Sequence, residues 1–282
     1  MERGVNEPSL HAYCVFIELV YHATPRTFHK RMVFGIMKEK IKEKTMNIPR
    51  VIFFYNQEKD IKNIQIGFNT VRRGRQPDRE LAQIIQQYGN APSEEDIKAY
   101  LISRWKNKEN VPNLIVKQLQ EYWDTIEEKY FNHLADRMQL TSFHEIKQLG
   151  GFLSVRYGSG YNAEQQWFAV SAYNGTMRNT LTAMHEIMHI FFHKQWWNFC
   201  KNQGLSNNNI WDVKESMTVL LNLWFKNQVI DTDWGYDEHA ELRRFIINWF
   251  LETRNFQKTL EKACVYMKKH PEKSPDWITN QG

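Results

Sequence analysis

Residues His185-Glu186-Ile187-Met188-His189 combine two imidazoles and a carboxylate at a spacing that can do chemistry. On a helix, positions four apart project from one face about one turn, or ~6 Å, apart. Both imidazoles can then reach one metal ion, and His-Glu-x-x-His is a zinc-binding pattern for that reason. Glu186 is the intervening carboxylate; in such sites it takes a proton from the metal-bound water instead of binding the metal.

A catalytic zinc normally takes three protein ligands and keeps one position open. Three sources of the third ligand can be weighed. One pattern puts a histidine six residues after the second, but Gln195 stands there and Phe192 replaces its turn glycine, which excludes it. His193 lies four residues past His189, so a straight helix aims it beside the metal, in a supporting or structural role. Glu215 follows His189 by 26 positions (215 − 189), in Trp211-Asp212-Val213-Lys214-Glu215-Ser216-Met217. The alternative for Lys214 and Glu215 is a solvated ion pair.

These residues need elements to position them. Gln166 to Tyr173 reads as a strand, and Asn174-Gly175-Thr176 as a turn and helix start. Leu181, Met184, Met188, Phe191 and Phe192 recur at helical spacing. Gly204 and Ser206 to Asn209 turn the chain back, and Met217, Leu220, Leu221 and Trp224 form the apolar stripe of a second helix. Upstream, Phe152 to Tyr157 alternates as a strand with Leu153, Val155 and Tyr157 on one face. Gly158-Ser159-Gly160 reads as a hairpin connection to the strand at 166–173; it lacks the lysine of a phosphate loop. A long helix spans Leu114 to Arg137, with Leu119, Trp123, Ile126, Tyr130 and Leu134 at helical spacing.

Nearer the start, His11 to His22 is a candidate strand and Phe28 to Met46 a helix. Val51 to Tyr55 is a short strand, and alternation of Ile64, Ile66 and Phe68 suggests another. Arg72-Arg73-Gly74-Arg75 is a basic turn without the aromatic platform that would favour nucleic acid over solvent. Pro77 opens a helix to about Tyr88, and Ser93 caps one running to about Lys106. A polar break at Asn107 to Pro112 suggests a boundary near 110, separating an N-terminal α/β region (1–110) of unassigned role from residues 111–282. After Glu215 the chain is helical and aromatic, interrupted by the polar loop Asp231 to His239; the tail after His270 reads as frayed.

Residues ~150–225 resemble the zincin metallopeptidases of the gluzincin type: a strand, a His-Glu-x-x-His helix, and a glutamate on the following helix. Met184 to His193 is also similar to the short intracellular gluzincins of the ImmA/IrrE kind, which often carry a histidine at the last of these positions. The resemblance implies an α+β fold, with 111–282 as a mainly helical zincin-like domain with a small sheet. It further implies zinc held by His185, His189 and Glu215, Glu186 as general base, and a peptide or protein substrate. Such peptidases add a Tyr, His or Arg donor to stabilise the developing oxyanion, and Tyr236 and His239 are the candidates. Many gluzincins orient a ligand histidine with an aspartate shortly after the glutamate; here Thr218 and Val219 stand there, so Asp212 is a possible substitute. The alternatives are a regulatory ImmA/IrrE-like protein that cleaves or binds one partner, such as a repressor, and a non-catalytic binding module.

Composition sets the outer limits. With 42% hydrophobic and 14% aromatic residues, the 282-residue chain can bury a sizeable core. A net charge of +5, from 37 basic and 32 acidic residues, does not point to nucleic acid. Cys14, Cys200 and Cys264 are odd in number and lack metal-ligand spacing, which suggests a reducing interior and not a disulfide framework. The early apolar run is cut by Glu18, so no signal peptide is expected, and no stretch reaches the ~20 apolar residues of a membrane span. The expectation is a soluble cytoplasmic protein.

Overall fold

The sheet is built from segments far apart in the chain. In the computed structural model, which describes residues 46–72, 76–158 and 160–270, four strands lie in the order β1-β2-β4-β3. β1 (Arg50–Tyr55), β2 (Gln148–Ser154) and β4 (Trp167–Ser171) run parallel, and β3 (Gly160–Asn162) is antiparallel to β4. Helices α1 (Gln57–Arg72), α2 (Arg79–Tyr88) and α3 (Glu94–Trp105) follow β1, and α4 (Val111–Arg137) leads into β2. After β4 come α5 (Thr176–Phe191), α6 (Trp197–Asn202), α7 (Asn207–Met217), the short α8 (Leu221–Trp224), α9 (Ala240–Thr253) and α10 (Phe256–Lys269). The architecture is α+β with a small mixed sheet, as expected. The candidate strand at 11–22, all but the last residue of the helix at 28–46, and the tail after 270 lie outside the described residues.

The sheet crosses the boundary expected near residue 110. β1 pairs with β2 from Arg50↔Gln148 to Tyr55↔Leu153, and the described residues belong to one compact unit. Helix α4 closes the outer edge of β1. Glu127 Oε1 accepts from Val51 N at 2.6 Å, while Gln120 accepts from Phe53 N at 2.8 Å and donates to Val51 O at 3.1 Å. An open strand edge is thereby satisfied by side chains of a covering helix. On its apolar face α4 buries Leu119, Trp123, Ile126, Tyr130 and Leu134, the spacing read from the sequence. The Tyr130 hydroxyl donates to Met184 O at 2.7 Å, joining α4 to the motif helix α5.

Three local readings change. Residues 64–68 are helical: the buried positions of α1 include Ile61, Ile64 and Phe68, three and four apart, while Ile66 is 40% exposed. β2 begins four residues earlier than the strand read at 152–157, because Gly150 and Gly151 carry no strand signal. A Cβ on Gly151 would lie 2.6 Å from the Phe53 ring and 3.0 Å from that of Phe168, so only glycine lets these rings pack there. The connection from β2 to β4 is not the expected hairpin, since those strands are parallel. The chain instead crosses to the far side of β4, forms β3 there, and turns back at 163–166. Among the described residues, no helix is long and apolar enough to cross a membrane.

Helices α1 to α3 form a second cluster with Val155, around Ile61, Ile64, Phe68, Leu81, Ile84, Ile97, Tyr100 and Leu101. Asp78 and Ser93 cap α2 and α3, the latter in a reciprocal box with Asp96. Asp60 of α1 is fully buried against the end of β2, where its carboxylate accepts from Ser154 Oγ at 2.6 Å and faces Val155 N at 3.3 Å. Burial outweighs these hydrogen bonds and the nearby Arg156 charge, and raises its pKa from 3.8 to about 7. The folded value exceeds the unfolded one, so this contribution to stability is complete below about pH 4 and is lost as pH rises through about 7. Urea unfolding between pH 5 and pH 8 should show a loss on the order of 2 kcal/mol that Asp60→Asn removes. Identical pH slopes in the two proteins would contradict the assignment.

Candidate metal centre

Helix α5 leaves the end of β4 in a fixed direction. Gly175 occupies its N-cap and offers no side chain. Asn179 takes over, accepting from Ser171 N at 3.1 Å and donating to Ser171 O at 2.9 Å, which ties the first turn to the last strand residue. His185 and His189 then share a face, their ring centroids 4.3 Å apart at 78°. The helix widens into a π turn at Phe192–Trp196, a deformation that is frequent at functional sites. His193 sits in this turn, stacked 4.3 Å from Trp197, with Nε2 2.7 Å from the Tyr161 hydroxyl. It lies beside the site and is not one of the three converging groups.

Helix α7 supplies the third group. Ser206 caps it by accepting from Asn209 N, and its buried face turns Glu215 toward α5. Glu215 Oε2 lies 3.1 Å from His189 Nε2 and 3.5 Å from His185 Nε2. These three residues form the group, among the described residues, whose donor atoms converge closely enough to hold a metal ion. Tetrahedral ligands ~2.05 Å from an ion are ~3.3 Å from one another, so both distances suit donors around one metal. Two imidazole nitrogens and one carboxylate oxygen also make a donor set that catalytic zinc uses. The residues therefore fit a cation.

Glu186 follows His185 and is buried beside the same centre, where its charge acts on His185, Lys214 and Tyr161. Lys214 and Glu215 are no solvated pair. Both are buried, with Lys214 Nζ 2.7 Å from Glu215 Oε1.

The partner of His185 was not found from sequence. Asp233 Oδ2 lies 3.3 Å from His185 Nδ1, in the position of a carboxylate that orients a ligand imidazole. Its loop is pinned by Asn222, which accepts from Asp233 N at 2.8 Å and donates to Asp233 O at 2.9 Å. Arg243 of α9 donates to Asp233 O at 2.5 Å and to Thr218 Oγ1 at 3.1 Å, and reaches Glu215 O at 3.4 Å. Gly235, at φ 67°, lets this guanidinium through, since a Cβ there would come within 2.5 Å of it. Thr218 and Val219, which stand shortly after Glu215, were the hint in the sequence that a partner for the imidazole would come from elsewhere. Asp212 does not fill the role: its Oδ1 lies 3.1 Å from His239 Nε2. His239 is thus held on Asp212, a turn before Glu215, and Tyr236 stands edge-on to it at 5.6 Å, 40% exposed.

Electrostatics distinguish the two imidazoles. Burial alone would lower the pKa of His185, but Asp233, Glu215 and Glu186 outweigh it and raise the value to about 10. Burial, with the nearby Lys214 charge, drives His189 down to about 3 against the pull of Glu215. Burial would raise Glu215, yet the positive charge around it holds it well below the usual carboxylate range. Positive charge is thus favoured between the imidazoles and Glu215. A metal ion bound there would supply positive charge and displace the His185 proton.

Chelator-competition titration should find one metal per chain. Glu215→Ala should lose that stoichiometry, and Asp233→Asn should weaken affinity by ~10-fold. Unchanged binding in Glu215→Ala would remove that carboxylate from the site. Comparison of the chain with protein-family models, with curated proteins and with solved structures finds no match.

Proposed function

We propose that the protein is a zinc-dependent peptidase of the gluzincin type. The observation that carries this reading is the convergence of His185 Nε2, His189 Nε2 and Glu215 Oε2, with Glu186 next in chain to the first of them. His185, His189 and Glu215 hold the metal. Bound there, zinc acts as a Lewis acid and brings the pKa of a coordinated water towards ~7.

The chain's own groups perform the proton transfers. Glu186 accepts the water proton on its carboxylate and delivers it to the departing amide nitrogen, so one residue acts as base and then as acid. Asp233 keeps the His185 ring oriented through Nδ1, and leaves Nε2 for the metal. Tyr236 and His239 are the proposed donors to the carbonyl oxygen as it gains charge, with His239 held in place by Asp212.

The sheet suggests how a peptide lies in the site. β3 is the edge strand next to β4, and its Tyr161 ring is 5.2 Å from that of His189. An extended peptide that pairs with this edge would run beside the metal ligands, a recognition mode that uses main-chain hydrogen bonds. The substrate class is therefore an extended peptide or an unfolded protein segment.

Glu186→Gln is the direct test. The variant should bind metal like the wild type and cleave a mixed peptide library at least ~100-fold more slowly. Full hydrolysis by Glu186→Gln would falsify the assignment of the base.

A further inference from the structure

Lys214 is among the largest fully buried side chains of the protein. A buried ammonium is expensive unless it is paired, and most lysines extend their charge to water. Lys214 instead folds back on its own neighbour. Consecutive helix positions do not face each other, yet Nζ reaches Glu215 Oε1 at 2.7 Å. Two aromatic faces enclose the cation on its other sides, with Nζ 3.8 Å from the Trp211 ring centroid and 4.7 Å from that of Tyr161.

The contact divides the Glu215 carboxylate. Oε1 is taken by the ammonium, while Oε2 faces both ligand imidazoles at 3.1 and 3.5 Å. A carboxylate free on both sides could grip a metal through two oxygens and fill the position that a reacting water needs.

We propose that Lys214 is a positioning residue that holds Glu215 to one-oxygen coordination and so preserves an open position on the metal. This rests on the reading of His185, His189 and Glu215 as the metal ligands. Lys214 also draws part of the Glu215 charge away from the ion, which leaves the ion the stronger Lewis acid. The Trp211 and Tyr161 faces fix the ammonium, so the constraint is built into the packing between α7 and β3.

The test uses the full chain loaded with Co2+, whose visible absorption reports coordination geometry directly. Wild type should bind one Co2+ and show the intense bands of a four-coordinate site. Lys214→Met fills much of the same space between the two rings without a charge. It should still bind one Co2+, with band intensity lower by roughly half as coordination rises to five, and with peptide hydrolysis down ~10-fold or more. Lys214→Leu should behave alike. Superimposable spectra of wild type and folded Lys214→Met would overturn the role of Lys214 and leave the metal site standing. A wild type that takes up no Co2+ removes the metal site itself, and this inference with it. Loss of the native near-ultraviolet dichroism in both variants would make Lys214 a structural residue and would also reject the proposal.

Discussion

Glu215 must remain ionised in a place from which water is nearly excluded. It is 5% exposed, and an isolated carboxylate at that depth would take up a proton. What keeps it charged comes from several elements. His185 and His189 approach from α5, Lys214 from its own helix, and Arg243 of α9 bonds its backbone carbonyl. Each contributor is itself an ionisable group that burial would disfavour. They are therefore mutually dependent, and removing one leaves an uncompensated charge in the interior.

Groups that depend on one another in this way must be held in place, and hydrogen bonds between elements do so. Asn179 fastens α5 to β4, and Tyr130 fastens it to α4. Asn222 and Arg243 fasten the Asp233 loop to the segment that follows Glu215. An imidazole or carboxylate moved out of reach of its partner loses that stabilisation while keeping the cost of burial. The polar ties around the centre lie mainly between backbone and side chain, and they fix whole elements as well as single atoms.

The converging group was legible in the sequence because helical spacing is local: His185 and His189 announce a shared face, and Glu215 stands just before the apolar positions Met217, Leu220 and Leu221. Asp233 was not legible. It comes from a loop, and only the long-range contacts of Asn222 and Arg243 bring it to His185. Asp212 looked suitable by spacing alone, but His239, 27 positions on, claims it. In α1, Ile64-Gln65-Ile66-Gly67-Phe68 imitates a strand over five residues, and only the wider window that includes Ile61 shows the helical period. Two successive glycines concealed the start of β2, and parallel pairing cannot be read from strands that follow one another closely. Cys200 and Cys264, far apart in the chain, lie with sulfurs 3.7 Å apart in the core. No sequence pattern carries that proximity.

The charge balance of the centre bears on what it can stabilise. Glu186, Glu215 and Asp233 contribute three negative charges, and Lys214 and Arg243 two positive ones. The remainder is a single negative charge, and a protonated His185 cancels it. A divalent ion in place of that proton would raise the charge of this largely dry compartment by one. In the proposed hydrolysis, a carbonyl oxygen that gains negative charge would be stabilised there more strongly than in water, since the opposing charge is already in place and needs no solvent to reorganise. Loss of Lys214 or Arg243 would lower the charge by one again. In the proposed reaction the buried cations would do more than balance carboxylates: Lys214 and Arg243 would keep the site more positive around a bound metal, where the developing oxyanion needs it.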